Sequence, residues 1–177
     1  NQVQLIGKSN GPAKYLADEL KLTCKSTSEI NKDNLILIDD WESFKSKENN
    51  VLEAVKEGAT AIFMELEPGD YKIANSDVNV KMSSFNPLHF ASRDTGHRFV
   101  KDFKADDFKL WYDPNKDMIT PILDNTFISS DFSPVLTSGN LNEDGQWDKA
   151  LVVGEKKYGK GSVIVSELKL TDRIKTN

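Results

Sequence analysis

Two short, continuous apolar runs constrain the fold of this chain more than any other feature of its sequence. Leu35–Ile38 and Ala59–Met64 show no regular alternation of polar and apolar residues. Runs of this kind are typical of strands covered on both faces, as in a parallel sheet. Between them lies an amphipathic stretch around Val51 and Val55 that Gly58 follows at a typical helix end. The segment therefore predicts a strand–helix–strand unit with a right-handed crossover.

The N-terminal segment predicts a preceding strand and helix of the same kind. Val3–Ile6 is apolar, and Pro12 suits the first turn of a helix, where its missing N–H costs nothing. Helical spacing of apolar residues then continues to Leu20. The 177 residues are enough to bury a core as one domain. We therefore predict for residues 1–177 a single α/β domain, a three-layer sandwich around a mainly parallel sheet.

The second half of the chain is less regular. Residues 75–98 are rich in Asn, Ser and other turn-forming residues, which predicts a long loop with short elements. Residues 106–112 are typical of a short helix, and Ile119–Leu123 and Pro134–Thr137 of short strands.

A hairpin is the strongest local signal near the C-terminus. Ala150–Val153 and Ser162–Val165 are β-branched runs, and Gly159–Gly161 supplies a glycine-rich turn between them. We expect this hairpin to add antiparallel strands to the otherwise parallel sheet.

Composition excludes several classes of function and partner. The net charge is −5 and no basic stripe is present, which argues against a nucleic-acid partner. No apolar run approaches the roughly 20 residues of a membrane span. The sequence opens without an initiating Met or a signal peptide. We interpret the chain as a fragment of a larger polypeptide that is exported to the periplasm or the cell exterior.

The sequence does not match the motifs that bind phosphates, dinucleotides or metals, or the motif that surrounds a catalytic nucleophile. Gly7–Gly11 has letters similar to a phosphate loop but not its spacing, and no dinucleotide-binding fingerprint occurs. Cys24, which we expect to be a partly buried structural thiol, lacks the flanking glycines of a nucleophile elbow. His89 and His97 do not have the spacing of a helical or finger-type metal site. We therefore predict no cofactor, no metal and no catalytic residue in this chain.

Carboxylates at strand ends are the first candidate for a ligand site. Asp39 and Asp40 follow one predicted strand, and Glu65 and Glu67 follow the next. Ligands of open α/β sheets bind at the carboxyl ends of the strands, so these four residues define a candidate rim. The alternative is that the acidic residues are solvated or cap the helices that follow.

Aromatic residues beside polar, turn-like sequence are the second candidate. They are Trp41, Trp111, Tyr112 and Trp147. Exposed indole rings can stack on sugar rings, whereas the alternative is that they cover the edge of a core or dock onto a neighbouring domain. Together with the rim, they give the candidate ligand-binding set Asp39, Asp40, Trp41, Glu65, His97 and Trp111.

Three segments carry a resemblance to a known group of domains. Ser92–His97, Asp107–Tyr112 and Gly159–Leu168 resemble the class I glutamine-amidotransferase-like, flavodoxin-like modules of bacterial β-galactosidase-type glycosidases, including some of glycoside hydrolase family 2. The resemblance extends from the Leu35 strand to Leu170. It implies a three-layer α/β sandwich without an active site of its own.

The sequence departs from amidotransferases proper, which place a Cys at the elbow after a central strand. The third strand here leads into Glu65–Gly69 instead, so glutaminase activity is not implied. The resemblance implies a module that packs on other domains of a β-galactosidase-type enzyme or mediates assembly, including homo-oligomers.

Three functions therefore remain open. The first is a noncatalytic accessory or assembly domain of a larger glycoside hydrolase. The second is a carbohydrate-binding module that uses the aromatic residues. The third is a small stand-alone hydrolase using Asp39, Asp40, Glu65 and His97, which requires at least one desolvated carboxylate with a perturbed pKa.

Overall fold

The computed structural model describes residues 2–24, 30–33, 35–84, 91–141 and 144–170. These residues form two compact units. Unit 1 comprises the chain up to Leu66 together with Glu155–Ser166, and unit 2 comprises Glu67–Gly154 and the segment from Glu167 onward. The two units are described separately below.

Unit 1 is built on five parallel strands. In chain order its elements are β1 (Gln2–Ile6), α1 (Pro12–Glu19), β2 (Thr23–Cys24), β3 (Leu35–Ile38), α2 (Trp41–Lys45), α3 (Glu48–Glu57), β4 (Thr60–Met64), the last part of β11 (Trp147–Tyr158) and β12 (Gly161–Ser166). The strand order is β2-β1-β3-β4-β12, and each neighbouring pair is parallel. The predicted strands at residues 3–6, 35–38 and 59–64 are therefore confirmed, as is their parallel pairing.

The helices of unit 1 follow the sequence signals closely. Pro12 occupies the first turn of α1 as predicted, and α3 buries Val51 and Val55 before Gly58 ends it with a φ of 141°. Both Phe44 on α2 and Phe63 on β4 are fully buried, and their rings meet edge-to-face at 4.8 Å. Each such burial stabilises the fold by about 2–3 kcal/mol, so this aromatic pair anchors α2 to the sheet.

Unit 2 is antiparallel. Its strands are β5 (Gly69–Ile73), β6 (Ser76–Met82), β7 (Tyr112–Asp113), β8 (Met118–Ile119), β9 (Asn125–Ile128), β10 (Ser133–Leu141) and the first part of β11 (Trp147–Tyr158). β5 pairs with β6, β6 with β9 and β9 with β11, while β10 pairs with β11 off this path. β7 and β8 form a separate two-stranded hairpin.

The prediction of a long loop at residues 75–98 was wrong for its first third. β6 is a seven-residue strand in which Val78 and Val80 are buried while Asp77 is exposed. A two-residue turn with positive φ at Ala74 and Asn75 joins it to β5. The period-2 pattern of a half-buried strand was present, but the polar residues Ser76 and Asn79 made the segment look like a loop. Ser76 in fact lies on the buried face, with Val78 and Val80. Residues 85–90 lie outside the described residues.

The fold class was also predicted wrongly. Among the described residues, strands make up 42% and helices 19%, with three α-helices and a large mixed sheet of ten strands, not a helix-rich three-layer sandwich with a mainly parallel sheet. In the described part of the chain, the parallel strand pairs are those of unit 1. Residues 106–112 form a 3-10 turn at Ala105–Phe108 followed by β7. Leu110, between the two, has a positive φ of 53°, which a right-handed helix does not contain.

The predicted C-terminal hairpin is present but extends the sheet differently from what we expected. β11 and β12 are neighbours joined by a tight turn at Gly159, which has a φ of 65°. β12, however, is parallel to β4. Only β11 therefore introduces an antiparallel direction, and its first part belongs to unit 2.

Candidate functional site

The candidate site in unit 1 lies where the strand order reverses. β1 is followed along the chain by β2 on one side and by β3 on the other. The loops after β1 and β3 therefore diverge at the carboxyl ends of these two strands. In open parallel sheets this is the crevice where ligands bind. Asp39 and Asp40 follow β3 at this point, and Glu65 follows the neighbouring strand β4.

Asp39 is bound within the chain by both of its carboxylate oxygens. Oδ1 accepts a hydrogen bond from the backbone N–H of Lys8 at 2.9 Å, and Oδ2 accepts one from the backbone N–H of Ala13 at 2.9 Å. Ala13 lies in the first turn of α1, whose N-cap residue, Gly11, provides no side-chain cap. Asp39 therefore performs the capping role from a neighbouring strand, where a carboxylate also interacts favourably with the helix dipole.

Two glycines make room for this carboxylate. A Cβ on Gly7 would lie 1.7 Å from Asp39 Oδ1, and a Cβ on Gly11 would lie 2.2 Å from Asp39 Oδ2. Both distances are far below van der Waals contact. The segment Gly7–Gly11, which has the letters of a phosphate loop, thus wraps around a carboxylate of its own chain. The backbone donors that would hold a phosphate at such a position are used by Asp39.

Asp40 caps the next helix. Its Oδ2 accepts a hydrogen bond from the backbone N–H of Ser43 at 2.8 Å, so it is the N-cap of α2. Two hydrogen bonds from Ser43 lower the pKa of Asp40 below its ordinary value of 3.8; the one from its side chain has the larger effect and the one from its backbone the smaller. The shift favours the charged form, which is the form a helix cap requires and the opposite of what a general acid needs.

Glu65 and Trp41 also have local structural roles. Glu65 has a φ of 50°, and its backbone N–H donates to the carbonyl of Ser166 at 2.9 Å, which extends the pairing of β4 and β12 by one residue. Trp41 is half-buried and packs on Phe44 at 5.2 Å, with the Lys45 ammonium over its ring. The ring therefore covers the edge of the core in unit 1, the second of the two roles the sequence left open for it.

The remaining predicted residues lie in unit 2. His97 caps a 3-10 turn, with its Nδ1 accepting from the backbone N–H of Phe99 at 3.3 Å. Trp111 is half-buried, and its Nε1 donates to the carbonyl of Asp107 at 2.8 Å. Tyr112 and Trp147 are 47% and 57% exposed. His89 lies outside the described residues.

One cluster in unit 1 was missed by the sequence reasoning. Glu155 is only 4% exposed, and its Oε1 accepts from Ser162 Oγ at 2.7 Å and pairs with Lys157 Nζ at 3.0 Å. Lys157 Nζ also lies 2.8 Å from Ser162 Oγ. A two-residue turn places Lys157 opposite Ser162 on the hairpin, so the spacing Glu-x-Lys before the turn was a readable signal. Ser162 is 5% exposed, which makes it a connector of the two charges and a poor nucleophile.

Cys24 differs from its prediction in exposure. It is an exposed free thiol at the end of β2, not a partly buried one. Its Sγ contacts the carbonyl of Leu22 at 3.8 Å. β2 is an edge strand of only two residues, both of them exposed.

A cavity of about 340 Å³ lies over the β5–β6 hairpin of unit 2. It is lined by Asp70, Tyr71, Lys72, Asp77, Val78 and Asn79. The polar groups in it are paired across the strands: Asn79 donates to Asp70, and Lys72 Nζ lies 3.7 Å from Asp77 Oδ1. Among the residues that the structure describes, no group of three or more His, Cys, Asp or Glu side chains is arranged to hold a metal ion.

Comparison with known proteins gives no family. No protein-family model matches the chain, and no curated protein matches it with significant similarity. Within the described part of the chain, none of the helices has the length and apolar character needed to span a membrane.

Proposed function

We propose that this chain is a noncatalytic accessory or assembly domain of a larger glycoside hydrolase of the β-galactosidase type. The observation that carries the proposal is the position of Asp39. Its carboxylate fills the point where the strand order reverses, and it uses backbone N–H groups of Lys8 and Ala13 that a bound anion would need. A carboxylate of the chain itself therefore occupies the crevice where a ligand would bind, and we infer that this part of the domain serves as a scaffold.

The carboxylates of the rim support the same proposal. Asp39 and Asp40 each bind the N-terminus of a different helix. A glycosidase pair needs two carboxyl groups that face a shared sugar, one of them with a raised pKa. The pKa of Asp40 is shifted in the opposite direction. The resemblance of Ser92–His97 and Gly159–Leu168 to accessory modules supplies the glycosidase context.

Two experiments test this function. The coding frame on both sides of residues 1 and 177 should continue and encode a barrel domain with paired glutamates. The purified chain should show no turnover of aryl β-galactosides or β-glucuronides. Turnover that disappears in Asp39→Asn, but persists in a matched Asp33→Asn control, would overturn the proposal, as would a frame that closes at both ends of this chain.

A carbohydrate-binding module is the second candidate, favoured by the exposure of Trp147 and Tyr112. Exposed aromatic rings beside polar groups suit sugar stacking. Calorimetry with galactosides and plant polysaccharides tests it directly. Binding heat that Trp147→Ala abolishes and Trp41→Phe retains would support this candidate, and a flat response across the set would eliminate it.

A further inference from the structure

The edge strand of unit 2, β5, carries an acidic and a basic residue on either side of a tyrosine. β5 is the last strand in the order of the sheet, and no strand pairs beyond it among the described residues. Its five residues are Gly69, Asp70, Tyr71, Lys72 and Ile73. Charged residues on an edge strand ordinarily keep other strands away. Here a negative and a positive charge lie at equal distances on either side of Tyr71, so the edge is complementary to itself.

The outward-facing backbone groups of β5 follow from its hairpin. Ile73 and Ser76 flank a two-residue turn and pair with each other, and residues in this position exchange both backbone hydrogen bonds. Because bonded and non-bonded pairs alternate, Tyr71 also bonds to β6, whereas Asp70 and Lys72 turn their N–H and C=O groups outward. The free edge thus presents two donors and two acceptors.

The side chains of the same two residues share one face of the hairpin. Asp70 lies opposite Asn79 and Lys72 opposite Asp77, and the Lys72 side chain is 70% exposed. Tyr71 points to the other face, where its hydroxyl donates to the carbonyl of Glu67 at 2.7 Å. The charged face is therefore open at the edge.

We infer that β5 pairs antiparallel with β5 of a second copy of this chain, about a two-fold axis at Tyr71. In this register Asp70 faces Lys72 of the second copy, and Lys72 faces its Asp70. Both are backbone-bonded pairs, so the contact has four N–H···O=C hydrogen bonds and two opposite-charge pairs. A two-fold contact of one surface with itself is the commonest form of homodimer. The inference does not rest on the proposed function.

Alternating charges then run across the joined sheets. The facing residues form a row in the order Asp77 and Lys72 of one copy, then Asp70 and Asn79 of the other. The two-fold axis generates a second row of the same residues that runs in the opposite direction. Opposite charges directly across a strand pair stabilise it, and like charges destabilise it. A five-residue strand pair buries less area than a standard interface, which places the dimer in the transient class below about 1,200 Å².

Sedimentation equilibrium of the full chain, at concentrations up to about 1 mM, tests this contact. The wild-type chain should show a mass that rises from monomer toward dimer. Asp70→Lys and Lys72→Asp should each weaken association by about tenfold or more, because each places like charges opposite one another. A chain that stays monomeric throughout leaves the edge to a different occupant and overturns the inference.

Mixing the two variants gives the decisive result. The Asp70→Lys chain carries a positive charge at both positions, and the Lys72→Asp chain carries a negative charge at both. In the proposed register every facing pair between the two chains is again of opposite sign, so the equimolar mixture should recover a heterodimer. Failure to recover it overturns the register.

Lys81→Asp, with the same charge change as Lys72→Asp but on β6, is the matched control. It should associate like the wild type, because position 81 does not lie on the free edge. If it loses association equally, the effect is one of net charge and the inference fails.

Lys72→Pro removes an outward-facing N–H together with the charge of Lys72, so it tests the backbone hydrogen bonds and the charge pairs at once. Proline is tolerated on an edge strand where the N–H faces outward, so far-UV circular dichroism should be unchanged while dimer formation is lost. A dimer that survives this substitution would show that β5 is not the interface.

Discussion

The carboxylate of Asp39 at the end of β3 lies 2.9 Å from the backbone nitrogen of Ala13 in the first turn of α1. A side chain of one strand therefore caps the helix that follows another strand. The bond fixes the loop after β1 against the loop after β3, and the second oxygen of Asp39 reinforces it through Lys8. The same contact thus occupies the crevice at the carboxyl ends of β1 and β3.

Asp39→Ala should lower the free energy of unfolding by about 1–3 kcal/mol, because two charge-assisted hydrogen bonds and a helix cap are lost together. Urea denaturation followed by circular dichroism measures the change. Asp33→Ala, an exposed carboxylate in the same unit, is the control and should fall within about 0.5 kcal/mol of the wild type. Equal effects of the two substitutions would show that Asp39 is no more than a surface charge.

Gly11→Ala should destabilise the chain for a related reason. The new Cβ would lie 2.2 Å from Asp39 Oδ2, and overpacking of this kind costs about 1–3 kcal/mol. In the Asp39→Ala background the clashing oxygen is absent, so the penalty should shrink to that of replacing a glycine at an N-cap. A double-mutant cycle measures the coupling. Additivity within about 0.3 kcal/mol would contradict the contact.

The free energy of unfolding should depend on pH through Asp40. Its pKa is lowered in the folded state, so the charged cap contributes stability above the unfolded value of about 4 and loses it as pH falls through the folded value. Asp40→Ala should therefore cost about 1 kcal/mol at pH 7 and less at pH 3. Unfolding curves at both pH values measure this difference.

Asn is an equally good cap without a charge, so Asp40→Asn serves as the control for that experiment. It should retain most of the stability at pH 7 and show a flatter pH profile than the wild type. A penalty for Asp40→Ala that is as large at pH 3 as at pH 7 would contradict the assigned role.

Unit 1 was predictable because its signals are local and agree with one another. The continuous run Leu35–Ile38 is typical of a covered strand. Gly58 marks the end of a helix, and in the structure it has a φ of 141°. For Asp39 the sequence left three roles open, a ligand-binding residue, a solvated residue or a cap of the helix that follows, and the structure shows a cap of the earlier helix α1. The role of Asp39 is determined by its hydrogen bond with Ala13, which lies 26 residues earlier. The sequence around Asp39 does not specify that partner.

Unit 2 was less predictable because its strands are short and half-polar. β9 consists of Asn125–Ile128, with only Thr126 and Phe127 buried, and a four-residue strand of this kind is recognised only through its neighbours. Nor does the turn at Ala74 carry the glycine that usually marks a type I′ turn. The pairing of β9 with β6 and β11 thus joins residues distant in the chain, which a reading of periodicity does not detect.

The buried cluster on the β11–β12 hairpin makes a last prediction that separates a structural serine from a nucleophile. Ser162→Ala should cost about 1–3 kcal/mol, because Glu155 loses the donor at 2.7 Å while staying buried. Ser166→Ala, in the same strand and only half-buried, is the control and should change the free energy of unfolding by less than about 0.5 kcal/mol.

A fluorophosphonate probe should leave Ser162 unlabelled, since its hydroxyl donates to a carboxylate and its side chain is 5% exposed. Stoichiometric labelling of Ser162 would contradict this role and revive the stand-alone hydrolase, with the Lys157 ammonium at 2.8 Å as the group to test next.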